Sequence, residues 1–141
     1  MLKISRKADY GLLLLTILAK AGVGKVVSLK EISRSRRMPY KFLSQIAPTL
    51  VNAGILGSKE GVGGGYFLTR SPKDVSVGEV IEFLEGSVMP VACMREECSC
   101  EPYCVQKSVM ERMASSFQES MKGYTVADLI GHKGEKEIRS S

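Results

Sequence analysis

The sequence predicts a mainly α-helical fold with one small β-hairpin, and three observations lead to this prediction. Apolar residues recur at helical spacing in several separate segments. Two of these segments open with Ser-x-x-Glu, which is typical of a helix N-terminus. A run of glycines lies between two short apolar stretches, as in a hairpin. The 141 residues are 44% hydrophobic and 25% charged, which suits one globular domain and excludes a disordered or collagen-like chain.

Three helices are predicted in the first 52 residues. The first covers 5–21, where apolar side chains form a helical stripe and two glycines follow. The second covers 28–35, opened by Ser28 as the first residue of a capping box. The third follows Pro39, expected in its first turn, and ends at an Asn-Ala-Gly stop signal. Because an interior proline costs about 3 kcal/mol, this helix is expected to kink or restart at Pro48.

The later elements follow from the same signals. In chain order they are strands at 55–59 and 66–69, a helix at 76–85 ended by Gly86, an aperiodic loop at 87–104, a long helix at 105–122, and a last helical turn opened by the capping sequence at 125–128. Residues 131–141 are polar and are expected to be frayed.

Three helices followed by a glycine-tipped hairpin is the element order of a winged helix-turn-helix. In that fold the third helix enters the DNA major groove, and the hairpin, called the wing, reaches the backbone or minor groove. We therefore divide the chain into a DNA-binding domain at 1–86, a cysteine-rich loop at 87–104, a long helix with the last helical turn at 105–130, and a tail at 131–141.

Charge is distributed unevenly along the chain. Residues 1–70 hold twelve Lys and Arg against three acids, a net charge of +9, whereas residues 71–141 hold eight against twelve, a net charge of −4. A basic half of this size attracts polyanions, although a solvated basic face on a helical domain is the alternative. The predicted DNA contacts are Lys30, Arg34, Arg36, Arg37 and Lys41 to phosphates, Tyr40, Lys41, Ser44 and Gln45 to base edges, and Lys59, Gly63 and Gly64 in the wing.

The glycine run at 61–65 resembles a phosphate-binding loop only superficially. It lacks the Gly-Lys-Ser/Thr ending, and a strand follows it, whereas nucleotide-binding motifs need a helix there. A tight turn whose backbone amides approach DNA is the preferred interpretation.

All four cysteines lie within twelve residues, as Cys93-x4-Cys98-x-Cys100-x3-Cys104. Four thiols so close together indicate a metal site or a redox function. The Cys-x-Cys step fits a tetrahedral zinc site poorly, and an iron–sulfur cluster tolerates wider spacing, so the cluster is favoured. Zinc, a disulfide switch and inert thiols stay open as alternatives.

The chain is predicted to be cytoplasmic with reduced thiols. A secretory signal is the alternative, because basic residues precede the apolar run at 12–18. Asp9 at the edge of that run and the clustering of the cysteines argue against it. The run is far shorter than the ~20 residues that cross a bilayer, so no membrane partner is expected.

Several short sequences together resemble one known family. They are MLKIS at 1–5, DY at 9–10, LKEIS at 29–33, FLSQI at 42–46, GVGGGY at 61–66, VGEVI at 77–81, and three spaced cysteines before a long helix. The chain resembles the IscR/NsrR-type winged-helix regulators, which sense iron–sulfur status, nitric oxide or cysteine availability. The resemblance implies a homodimer, paired through the long helix and bound to a double-stranded DNA operator. It also implies that the loop at 87–104 holds a [2Fe-2S] or [4Fe-4S] cluster that changes DNA affinity.

Carried over by residue, Cys93, Cys98 and Cys104 match the family's three ligand cysteines, and Cys100 is additional. Some members use a histidine where this chain has Lys107, which cannot serve as a ligand. Nitric-oxide-sensing members resemble this chain at Asp9, where an aspartate from the partner subunit completes the cluster. Asp9 and Cys100 are therefore rival fourth ligands, and Asp9 is favoured because a displaceable oxygen ligand suits a sensor.

In the wing, Glu60 lies where a member that reads the minor groove carries arginine. Lys59 is a possible substitute for that arginine.

The long helix carries one apolar stripe that a small winged domain covers only in part. The predicted dimer-interface residues are Met110, Met113, Ala114, Phe117 and Met121. The alternative is that this stripe packs entirely on its own domain.

Two functions compete with a cluster-gated regulator. One is a regulator of the same fold that senses by disulfide formation without a cluster. The other is a thiol redox enzyme or iron–sulfur carrier, which needs an acid or base beside its thiol. The only histidine, His132, lies in the predicted tail. The chain is therefore predicted not to be an enzyme.

Overall fold

A computed structural model of the protein describes residues 5–86 and 105–131. Within these ranges the elements are α1 (Arg6–Ala21), α2 (Leu29–Arg36), α3 (Tyr40–Asn52), β1 (Leu56–Lys59), β2 (Gly65–Leu68), a 3₁₀ turn (Pro72–Asp74), α4 (Val77–Glu85), α5 (Lys107–Gly123) and α6 (Val126–Gly131). The predicted mainly helical fold with a two-stranded antiparallel hairpin is confirmed. No helix in the described ranges is long and apolar enough to cross a membrane.

The predicted caps hold at two helices and fail at one. Ser76 accepts a hydrogen bond from the Glu79 backbone N–H at 3.0 Å. Thr125 and Asp128 cap reciprocally, because each backbone N–H donates to the other's side chain, at 2.8 and 3.3 Å. Ser28 occupies the N-cap position of α2, but its side chain makes no capping hydrogen bond, so the predicted capping box there is wrong. The helix therefore begins without a side-chain cap.

Two prolines bear on α3, one at its N-cap and one in its interior. Pro39 is not in the first turn but one residue before it, where its carbonyl accepts hydrogen bonds from the N–H groups of Phe42 and Leu43. The helix also continues through Pro48 from Tyr40 to Asn52, so the expected restart is wrong. Pro48 is exposed, while the opposite face of α3 is buried. Each fully buried Leu or Ile contributes about 1.5–3 kcal/mol, so several together outweigh the cost of one proline.

One hydrophobic core joins the helices α1 to α4, both strands and α6. Its fully buried members include Leu14, Leu15 and Leu18 of α1, Ile32 of α2, Leu43, Ile46 and Leu50 of α3, Leu68 of β2, Val80 of α4 and Val126 of α6. The chain before α6 is also tied to the segment before α4, since the Val126 N–H donates to the Val75 carbonyl at 2.9 Å. The last helix is therefore part of the same packed unit as residues 5–86.

Two glycines let α4 approach its neighbours closely. A Cβ atom at Gly11 of α1 would collide with the Leu84 side chain of α4 and lie 3.5 Å from Ile46 of α3. A Cβ at Gly78 of α4 would lie 3.1 Å from the backbone of Met121 in α5. Helix α1 thus contacts both α3 and α4, and α5 lies against α4.

The wing is fixed to the rest of the domain at its base. The strands pair in the register Leu56 with Leu68 through Lys59 with Gly65. Val27, just before α2, and Tyr66 of β2 exchange two backbone hydrogen bonds of 2.9 Å. Gly65 makes this approach possible, because a Cβ there would collide with the Val27 carbonyl.

Gly65→Ala is accordingly expected to lower the free energy of unfolding by about 2 kcal/mol, since overpacking against backbone typically costs 1–3 kcal/mol. Urea unfolding followed by circular dichroism measures this. Gly63→Ala is the matched control, because Gly63 also has a positive φ of 75° but no atom within 4 Å of a Cβ. Equal destabilisation of the two variants would show that the contact with Val27 is unimportant.

Candidate nucleic-acid interface

The turn between α2 and α3 is held in place from inside the domain. Met38 is buried at 6% exposure, and the Ser33 hydroxyl donates to its carbonyl at 2.6 Å. Arg37, beside it, has a left-handed backbone with φ of 54° and ψ of 36°. It is the one non-glycine residue with positive φ among those described. This conformation costs an L-residue roughly 1–2 kcal/mol, whereas glycine adopts it without strain. The turn nevertheless has an arginine at this position.

The outer face of α3 presents most of the predicted base-reading side chains. Tyr40, Lys41 and Gln45 are exposed. Ser44 is half-buried and its hydroxyl donates to the Lys41 carbonyl at 2.9 Å. Its proton is therefore engaged within the helix, so Ser44 offers DNA mainly an acceptor.

A cleft of about 340 Å³ separates α3 from the wing. It brings together predicted contact residues from three elements: Lys30 of α2, Tyr40 and Ser44 of α3, and Lys59 and Gly64 of the wing. Glu60 and Tyr66 line the same cleft. The wing, the start of α2 and the third helix thus face one shared space, as a DNA backbone passing over them requires.

The basic side chains surround the turn on more than one side. Lys30 and Arg34 line a hollow on the outer face of α2. Arg36 instead lines a different hollow beside Lys20 of α1. The sequence analysis grouped Arg36 with the other arginines because they are adjacent in the chain. Because side chains two positions apart on a helix point in different directions, Arg36 and Arg34 lie on different sides of α2.

The predicted DNA-contacting cations have no ion pair within residues 5–86 and 105–131, where Arg70 with Glu79 is the pair observed. Arg70 donates to the Glu79 carboxylate at 2.7 Å and to the Asp74 carbonyl at 2.5 Å. The hydrogen bond to Glu79 raises the pKa of Arg70. Arg70 therefore connects the end of the wing to α4, a role that the sequence analysis missed. The cations around the turn, in contrast, stay available for an anionic partner.

The predicted cluster ligands fall in two groups. Cys93, Cys98, Cys100 and Cys104 lie outside the described residues. Asp9 is exposed in the first turn of α1. No group of three or more His, Cys, Asp and Glu side chains in the described ranges is arranged to hold a metal. The start of α1 nevertheless lies beside the end of α4, because the Ser5 N–H donates to the Glu85 carboxylate.

The apolar stripe predicted on the long helix is divided by the structure. Ala114 and Met121 are buried, and Met121 packs with Ala8 and Ile81 of the same chain, together with half-buried Phe117. Ala114 and Met121 therefore leave little surface for a partner, which corrects that part of the predicted interface. Of the predicted residues, Met110 is half-buried and Met113 is 51% exposed. Val109 is 53% exposed one turn before Met113, and the sequence analysis missed it although the i, i+4 spacing was visible.

Comparisons with known proteins agree with this geometry. Residues 4–132 match the Rrf2 family, iron-dependent transcriptional regulators. The HTH-type transcriptional regulator CymR of Bacillus subtilis is 33% identical over 137 residues, 96% of each chain. The regulator NsrR of Shouchella clausii is 28% identical, over 92% of this chain and 89% of that one.

Solved structures give the same result. The structure of CymR, the global cysteine regulator of B. subtilis, superposes with a TM-score of 0.78 at 32% identity, covering 94% of this chain and 99% of that one. The IscR structure from T. potens gives a TM-score of 0.75 at 32% identity, with 96% and 90% covered. The relatives are similar over nearly their whole length.

Proposed function

The chain belongs to the Rrf2 family of DNA-binding transcriptional regulators, and from this premise we propose that it binds its operator as a homodimer whose affinity an iron–sulfur cluster controls. The observation that carries the DNA-binding mode is the cleft between α3 and the wing, edged by cations without ion pairs in the described chain. Tyr40 and Gln45 of α3 read base edges, and Lys30, Arg34 and Arg37 hold phosphates. Lys41, at the start of α3, holds a phosphate and also lies within reach of a base edge.

A salt series tests this DNA-binding mode. Fluorescence anisotropy with the native operator is expected to give a steep linear fall of log K with log salt, with a slope of about −0.9 for each phosphate neutralised. Footprinting is expected to show a two-fold symmetric site, with half-sites about 34–36 Å apart or a multiple of that distance. Protection of a single asymmetric half-site would contradict a dimeric reader.

Arg37→Gly is expected to separate stability from DNA binding. Glycine adopts the left-handed conformation without strain, so the melting temperature is expected to rise by a few degrees, for a gain of about 1 kcal/mol. DNA affinity is expected to fall roughly tenfold, because the variant has no guanidinium to hold a phosphate.

Arg37→Ala is the matched variant for that prediction. It removes the same guanidinium and keeps the backbone strain, so it is expected to weaken DNA binding equally without stabilising the fold. A glycine variant that binds DNA as well as the parent would remove Arg37 from the interface.

The cluster part of the proposal rests on donor chemistry. Four thiols between Cys93 and Cys104 form a soft donor set that suits an iron–sulfur cluster. Such a group, when bound, supplies a centre sensitive to oxidants and to nitric oxide. Cys93, Cys98 and Cys104 provide three ligands in this proposal, and the exposed Asp9 carboxylate of the partner subunit provides the fourth in preference to Cys100.

Anaerobic purification tests the cluster directly. Brown protein with nearly equal amounts of iron and acid-labile sulfide is expected, and Ala at Cys93, Cys98 or Cys104 is expected to bleach it. Asp9→Ala and Cys100→Ala, made separately, identify the fourth ligand, since the true one changes the visible spectrum more strongly. Colourless protein with stoichiometric zinc would sink the proposal.

A second candidate is a cluster-free regulator switched by its thiols. Similarity to a structure described as the global cysteine regulator of B. subtilis favours it. In that case, metal-free protein binds the operator when reduced, and oxidation changes both its affinity and its free-thiol count. Mass spectrometry after alkylation distinguishes the two candidates, because a disulfide between two of the four cysteines removes two alkylation sites.

Dimerisation is proposed through the exposed part of α5. Val109 and Met113 lie one helical turn apart, and each exposes about half of its surface. Large apolar side chains at this spacing are typical of a helix that pairs with a symmetry mate. Met113→Asp is expected to convert the dimer to a monomer in analytical ultracentrifugation, without unfolding the chain.

A further inference from the structure

A small hollow lies between α1 and the turn that precedes α3, and the proposed function does not require it. Its volume is about 230 Å³. The lining residues are Leu13, Thr16, Ile17 and Lys20 of α1, with Arg36 at the end of α2 and Met38 of the turn. It shares no lining residue with the cleft between α3 and the wing.

The wall of this hollow is apolar. Leu13 is 44% exposed, Ile17 is half-buried, and Met38 is buried. The Thr16 hydroxyl donates to the Leu12 carbonyl at 2.8 Å, so its proton is engaged within α1. Covering Leu13 and Ile17 removes apolar surface from water, which is favourable.

The charged side chains of the hollow are both cationic. Lys20 and Arg36 line it, no acidic residue does, and neither cation has an ion pair within the described chain. Lys20 also lies in the last turn of α1, where the helix dipole favours a positive charge. The hollow thus offers an apolar wall together with two positive charges.

We propose that this hollow binds a small amphipathic carboxylate, with its alkyl chain on Leu13, Ile17 and Met38 and its anionic group beside Lys20 and Arg36. Charge complementarity selects an anion, and the apolar wall selects one with a short hydrocarbon chain. The volume lies below the roughly 300–1,000 Å³ of pockets for drug-sized ligands, so the ligand is the size of a six-carbon acid and not of a nucleotide.

Such a ligand contacts the turn that orients α3. Met38 is held by the Ser33 hydroxyl, and Arg37 beside it has the left-handed backbone. A ligand that packs on Met38 and neutralises Arg36 therefore acts on both the position and the charge of the turn. DNA affinity is expected to fall when the hollow is filled.

The test uses hexanoate as the probe and methyl NMR of the full chain without DNA. Hexanoate is expected to shift the methyl signals of Leu13, Ile17 and Met38 in a saturable manner, with a Kd on the order of 1 mM for so few atoms. Inorganic phosphate, hexan-1-ol and hexylammonium are expected to bind at least tenfold more weakly. Phosphate lacks the chain, the alcohol lacks the charge, and the amine has the wrong charge.

Variants locate the binding. Lys20→Gln and Leu13→Gln are each expected to weaken hexanoate binding about tenfold, and Lys25→Gln, on an exposed loop residue outside the hollow, is expected to leave it unchanged. Phosphate binding as strong as hexanoate binding would identify a DNA-backbone contact instead and overturn the proposal. Hexan-1-ol binding as strong as hexanoate binding, or no effect of either variant, would overturn it too. Because DNA is absent, failure here leaves the DNA-binding proposal intact.

Discussion

Replacing Lys30, Arg34 and Lys41 together by glutamine is expected to lower operator affinity by roughly 100- to 1,000-fold, the largest effect on DNA binding predicted for this chain. All three side chains are exposed around the turn and the start of α3, and none is held by an ion pair in the described chain. Each replacement removes a charged hydrogen bond worth about tenfold in affinity, and the three effects are not fully additive between neighbours.

Salt dependence separates this effect from a general reduction of charge. The slope of log K against log salt is expected to flatten by about three units, one for each phosphate that the variant leaves unneutralised. The control is Lys25, Lys73 and Lys122 replaced by glutamine, which makes the same change in net charge at exposed residues away from the cleft. If the control triple weakens binding as much as the test triple, the interface is misplaced.

Elements with strong local signals could be predicted from the sequence. The hairpin followed from its glycine run, and the cap at Ser76 followed from Ser-x-x-Glu. The same Ser-x-x-Glu pattern at Ser28 did not produce a side-chain cap, and Pro48 did not interrupt α3. In both cases tertiary contacts decide the outcome, since the Val27–Tyr66 bridge fixes the start of α2 and burial of one face holds α3 together. Capping patterns and helix propensities do not contain information about these tertiary contacts.

The sequence predicted a set of candidate DNA-contacting residues, but it could not predict how the structure arranges them. Chain adjacency grouped Arg36 with its neighbours, whereas the last turn of α2 places it at the hollow beside α1. Apolar periodicity on α5 identified an amphipathic helix, yet it could not say which part of the stripe packs on the same chain. Met121 packs there because Gly78 admits the α5 backbone next to α4. Such close approaches depend on partners far away in the sequence.

Removing iron and sulfide from the holo protein is expected to change operator affinity by roughly 5- to 150-fold, corresponding to a coupling of ~1–3 kcal/mol. We propose that contacts along α1 carry this coupling. At one end, the Ser5 N–H donates to Glu85, the penultimate described residue before the segment that carries the cysteines. At the other end, the Tyr10 ring packs on the Phe42 ring of α3, with centroids 5.6 Å apart.

The middle of that route leaves little freedom for independent movement. Gly11 of α1 lies between Leu84 of α4 and Ile46 of α3, in contact too close for a Cβ atom to be added without displacing Leu84. Because packed cores have discrete arrangements and do not deform continuously, a shift of α4 or of Asp9 is expected to pass to α3 as a movement of α1. With an Asp9 ligand from the partner, the same movement changes the spacing of the two DNA-reading helices.

The measurement compares holo and apo protein on one operator at fixed salt, with both forms confirmed as dimers. Glu85→Gln is expected to reduce the difference in affinity between the two forms while leaving the visible spectrum of the holo protein unchanged, since it weakens the link between α4 and α1 and no cluster ligand. Met113→Asp, compared with the parent in the apo form, serves as the control for dimerisation, because a monomer no longer has the spacing effect but keeps the contacts of each half-site. Equal affinities for dimeric holo and apo protein would leave the cluster a purely structural role and exclude α1 as a signalling element.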